Sequence, residues 1–184
     1  MDECNISQAD LAWIADATRA QLQGARIVTD EGSVLFTPDG NGHYRALWTR
    51  DFAYMIEQAW DLFDPAEVRS ALALMLSGQR QDGCMPDRVN TDGTPFYSPG
   101  GDEHPLADHA LDNGSFAALA VCTYVRNSGD TGFFREVEPS LRSGLEFLAR
   151  DAAGLVWNDP GNLNCPYGFT DTVAKSGYLL GCSL

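Results

Sequence analysis

The sequence predicts an all-α protein of stacked helical hairpins whose long loops gather on one face. Three observations lead there. Apolar residues recur at helical spacing in six segments. Almost no segment shows the period-two alternation of a half-buried strand. Short turns alternate with long loops rich in Gly, Asp and aromatic residues, the connection pattern of paired helices.

In the first helix Leu11, Ile14, Ala15 and Leu22 share a face, interrupted by Thr18, with Ser7 as an upstream cap. Residues 27–34 are β-rich at their ends but hold Asp30, Glu31 and Gly32, which reads as a short hairpin or an extended loop. The second helix covers residues 51–63, where Phe52, Met55, Ile56, Ala59, Trp60 and Phe63 form a stripe. Asp64 caps the third and Pro65 occupies its first position. Val68, Ala71, Leu72 and Met75 follow in register, and Gly78 ends it. Residues 79–110 are too polar and too rich in Gly and Pro for a regular element. A loop of roughly 30 residues in a compact domain is functional or disordered. Met85, Phe96, Tyr97 and Leu106 favour order here. The fourth helix carries Phe116, Leu119, Ala120, Thr123 and Tyr124, with Cys122 as a small core residue. The fifth carries Phe134, Val137, Leu141, Leu145 and Leu148. After a loop over 154–170, the apolar segment 173–184 supplies the sixth.

At 184 residues the chain is long enough to bury a real core. Its net charge of −14, from 26 acids and 12 bases, argues against nucleic acid or an anionic membrane as partner. No run reaches the roughly 18 apolar residues that cross a bilayer. The acidic N-terminus is no secretory signal, which favours the cytoplasm. Five scattered cysteines lack C-x-x-C spacing, so neither zinc nor a full disulfide framework is indicated. Glu103-His104 and Asp108-His109 lack a metal-ligand spacing as well. Neither metal nor cofactor is expected.

The chemistry concentrates in residues 44–57, YRALWTRDFAYMIE. Trp48, Arg50 and Asp51 put an indole plane, a fixed cation and a carboxylate at the mouth of a helix. Sugars need that combination, since the aromatic face covers ring C–H groups while charges bind hydroxyls. The alternative is a buried Trp beside a helix-start ion pair. Trp157 is a second stacking candidate, with core packing as its alternative. Asp112-Asn113 opens the fourth helix, for capping or for sugar contact.

With Tyr44, Trp48, Arg50 and Asp51 opening the second helix, and Tyr167-Gly168-Phe169-Thr170-Asp171 opening the sixth, the chain resembles the six-hairpin glycosidases. These are the (α/α)6-barrel glycoside hydrolases that include glucoamylases and trehalases. The resemblance implies an incomplete barrel of about six of twelve helices, covering every face only with a further half. Residues 1–184 would be the N-terminal half of one catalytic domain, a fragment lacking its C-terminal half. It implies an exo-acting, inverting hydrolase of oligosaccharides or glycosides, with the W-x-R-D element (Trp48, Arg50, Asp51) on the terminal sugar. Its general acid lies between the fifth and sixth helices, and its base lies beyond Leu184.

Inverting enzymes hold two carboxyl groups roughly 6.5–9.5 Å apart, with a water between. Asp171 is the candidate acid, because burial against Tyr167 and Phe169 favours the protonated form. The helix start after it favours the anion instead, so a capping or sugar-binding role stays open. Asp159 in WNDPG is the second candidate acid, though Asp-Pro-Gly is ordinary turn chemistry. Two rivals share the scaffold. One is a non-catalytic carbohydrate-binding half-barrel; the other is a polysaccharide lyase, which needs a basic cleft.

Overall fold

The computed structural model describes residues 6–101, 103–161 and 175–179. Among the described residues helix dominates, but the architecture is mixed: five α-helices carry several small antiparallel sheets.

Helix α1, Gln8–Ala25, begins in a capping box: Asp10 N–H donates to Ser7 Oγ (3.2 Å) and Ser7 N–H to Asp10 Oδ2 (2.9 Å). Its C-terminal end packs on the core through Ala25 and Leu22, while Leu11, Trp13 and Ile14 stay exposed. Strands β1 (Arg26–Val28) and β2 (Val34–Phe36) form the hairpin allowed by the sequence, with Gly32 at φ +84° in its turn.

Strand β3, Ala46–Trp48, runs directly into α2, Thr49–Ala59, which tightens into a 3₁₀ turn at Trp60–Leu62. The expected helix over 51–63 therefore starts earlier and ends in this tighter turn. Helix α3, Pro65–Ser77, is capped by Asp64 Oδ1, which accepts from Ala66 N–H at 2.8 Å. Gly78 ends it at φ −79°, without the left-handed turn that a terminal glycine usually provides. A Cβ at this position would stand 2.9 Å from the Pro95 Cβ, so close approach explains the glycine.

The long loop is ordered by two strand pairs. Strands β4 (Arg88–Asn90) and β5 (Pro95–Phe96) join β3 in a three-stranded sheet, and β6 (Gly100–Gly101) pairs with β7 (His104–Pro105). Helix α4, Asn113–Ser128, ends at left-handed Gly129. Asp130 caps α5, Thr131–Glu146, through a 2.9 Å bond from Phe133 N–H. α4 packs on both α2 and α5 around a core of Leu35, Leu47, Phe52, Ile56, Leu72, Met75, Met85 and Val121. Gly114 lies so close to the Gly144 carbonyl that a side chain there would collide with it. Cys122 is exposed, contrary to the expectation of a core residue, because α4 turns its neighbours Val121 and Thr123 inward.

The sixth apolar segment departs from its expectation where it is described. Gly177–Tyr178 is strand β9, paired with β8, Trp157–Asn158. Gly177 at φ +77° is incompatible with a continuing helix, and the Tyr178 ring meets Trp157 edge to face at 4.7 Å. No helix among the described residues is long and apolar enough to cross a membrane.

Candidate functional site

The β3–α2 junction delivers the W-x-R-D residues in three different directions. Thr49 fixes the junction: its N–H donates to Asp87 O (2.9 Å) and its Oγ1 to Pro86 O (2.7 Å). That clamp places Arg50 against Asp87. Its Nη1 donates to Asp87 Oδ1 and to Asp112 Oδ1, each at 3.0 Å. The three side chains are 9%, 0% and 6% exposed, so this clasp is interior. It binds α2, the segment before β4 and the start of α4 at one end of the molecule.

Asp112 stands at the cap position of α4 but makes no side-chain cap bond, its Oδ1 being turned to Arg50 instead. Asn113 is buried beside it and donates to Met85 O at 3.0 Å, while its Oδ1 has no hydrogen-bond partner among the described residues. Asp51 is exposed, and Arg50 takes Asp87 and Asp112 as buried carboxylate partners.

Trp48 lies in β3 opposite Arg88 in β4, and Arg88 lies opposite Phe96 in β5. The three side chains therefore share one face of the sheet. The Arg88 guanidinium sits 4.8 Å from the Trp48 ring centroid and 4.7 Å from that of Phe96. Its Nη1 donates to the carbonyls of Ser98 (3.4 Å) and Gly100 (3.1 Å). The Trp48 indole N–H is buried without a hydrogen-bond partner among the described residues. The Tyr44 ring meets Trp48 at 6.0 Å and 84°. Tyr44, Trp48 and Arg88 form one side of an open cleft of about 570 Å³, within the usual size range of ligand sites.

Trp157 belongs to a separate cavity of about 330 Å³, with Arg80, Asp108 and His109. Arg80 bridges Asp82 (2.7 Å) and Asp108 (3.1 Å), and its hydrogen bonds hold both carboxyls below their ordinary range. Asp108 also meets His109 Nδ1 at 3.1 Å. Among the described residues no three His, Cys, Asp or Glu side chains come together as metal ligands. Asp159 is a turn residue, its Oδ1 accepting Gly161 N–H at 2.8 Å. Asp171 lies outside the described residues.

Structure thus brings Trp48, Arg50, Asp112 and Asn113 to one end, and leaves Trp157 in a neighbouring cavity. Asp87 and Arg88 from the long loop join them, one in the clasp and the other in the cleft wall. One local signal for them existed: Asp92-Gly93 between Arg88-Val89-Asn90 and Pro95-Phe96 is hairpin chemistry, with Gly93 at φ +84°. No family model, no curated protein and no solved structure matches this chain.

Proposed function

We propose that the chain is part of a glycoside hydrolase of the six-hairpin type, exo-acting and inverting, built on an (α/α)6 toroid. One observation carries this reading: the Arg50 clasp collects the starts of α2 and α4 at the end of the molecule where an aromatic-walled cleft opens. Gathering helix starts and loops at one end is what such a toroid requires of its active face. In this scheme Tyr44 and Trp48 stack on a sugar ring, and Asp51, exposed at the same helix start, accepts from its hydroxyls. Arg50 acts beneath them as the positioning residue that holds Asp112 and Asp87. Asp171 protonates the leaving oxygen, and a second carboxylate across the scissile bond serves as base.

Steady-state kinetics on aryl glycosides with the complete gene product tests the assignment. Asp171→Asn is expected to lower kcat by about 10²–10⁴-fold while ligand affinity persists. Near-normal turnover in that variant would overturn Asp171 as the acid. A non-catalytic binder is the second reading, favoured by a cleft whose described lining pairs aromatic rings and cations with one carboxylate, Asp92. Calorimetry separates the two, because a binder saturates with its oligosaccharide and leaves it intact.

A further inference from the structure

We propose that the cleft beside Trp48 recognises an acidic sugar, with Arg45 receiving the carboxylate and Tyr44 and Trp48 framing the ring. The inference rests on reading this end of the molecule as a carbohydrate site, and adds a substrate class to it.

Charge is the first ground. The chain carries 26 acids against 12 Lys and Arg, so a chance cleft should be acidic. This one reverses the balance: Arg45 and Arg88 line it against Asp92 alone. The second ground is the division of labour among those cations. Arg88 is buried, stacked between two rings and bonded to two backbone carbonyls, so it serves as wall. Arg45 is exposed and makes no ion pair or hydrogen bond with any described residue. A guanidinium fork matches a carboxylate with two parallel bonds, and here that fork is available to a ligand.

Preorganisation is the third ground. Asp39 Oδ1 accepts from the backbone N–H groups of Asn41 (3.0 Å), Gly42 (2.6 Å) and His43 (3.2 Å), which fixes the loop leading to Arg45. Tyr44 is 58% exposed, although an aromatic ring of that size gains most from cover. It stands nearly perpendicular to Trp48, so the two rings form an aromatic corner. Long-range repulsion from a net charge of −14 opposes a polyanion, whereas a single carboxylate on a small ring meets chiefly the local cations.

The test is calorimetric titration of the full chain with matched methyl glycosides: glucuronide against glucoside, and galacturonide against galactoside. The members of each pair differ only in a carboxylate at C6. At least one acid is expected to bind about tenfold more tightly than its neutral partner, as a charge-assisted bidentate contact provides. Arg45→Gln should abolish that preference, and Arg45→Lys should retain part of it. Arg45 is exposed, so both variants are expected to fold; unchanged circular dichroism checks this. Equal affinities, no acid binding, or a preference that survives Arg45→Gln would overturn the proposal. So would competition by acetate at equal concentration, which would mark a bare anion contact without a sugar subsite. Turnover and Asp171→Asn are scored separately. A neutral-selective cleft would therefore refute the acidic ligand and leave hydrolysis standing, and the converse holds equally.

Discussion

Replacing Arg50 by Met removes a side chain that ties α2 to both Asp87 and Asp112 while keeping its bulk. The two carboxylates left behind are 0% and 6% exposed, so solvent cannot take over the work of the guanidinium. Breaking a buried ion pair by deleting one partner costs about 3–5 kcal/mol. Arg88 Nη1 lies 3.9 Å from Asp87 Oδ2 and offers that carboxylate partial relief. Asp112 can also turn to the unused cap of α4. Both effects place the expected loss near the lower end, about 3 kcal/mol. With a urea slope of about 2 kcal/mol per molar for a domain of this size, the unfolding midpoint falls by about 1.5 M. Asp112→Asn in the Arg50→Met background should then cost far less than in the wild type, because the two share one interaction. A midpoint shift below about 0.5 M, or simple additivity of the two substitutions, would refute the buried-clasp account and make Arg50 an ordinary surface cation.

Gly114→Ala forces a methyl against the Gly144 carbonyl and should cost about 1–3 kcal/mol in the same assay, whereas Gly132→Ala, whose nearest neighbour is the Asp130 side chain at 3.4 Å, should cost less than about 1 kcal/mol. The Arg26 guanidinium donates to both oxygens of Glu67, at 2.8 and 2.6 Å, and holds its carboxyl below the ordinary value of 4.5. The stability this contributes is fully present above that ordinary value and is lost as pH falls through the lower folded one. Both side chains are partly exposed, so thermal melts should show less than about 1 kcal/mol, and Glu67→Gln should remove that acid-side slope.

The sequence discloses whatever depends on neighbours in the chain. Ser7 and Asp64 sit where their caps are needed, and Val68, Ala71, Leu72 and Met75 of α3 face the core as their spacing says. Strands of two or three residues are too short to display a period, so β3, β4 and β5 pass for loop or helix entry. Trp48 in particular reads as a helix mouth and is in fact the last residue of a strand. Distance in the chain hides the clasp for a different reason. Arg50 finds its partners Asp87 and Asp112 37 and 62 residues away. Segment 173–184 has the apolar content of a helix, but Gly177 and the ladder to Trp157 override it where it is described.

The Arg50 clasp has a further consequence for how the molecule opens. A 32-residue surface loop ordinarily exchanges its amide protons in small local openings, independently of the core. Here Thr49 and Arg50 grip Pro86 and Asp87, and Asn113 holds Met85, all from helices that pack on each other. The middle of that loop cannot detach without uncovering α2 and α4 together. Residues 85–90 thus belong to the same cooperative unit as the hydrophobic core, and the cleft wall they carry is as rigid as the helices behind it.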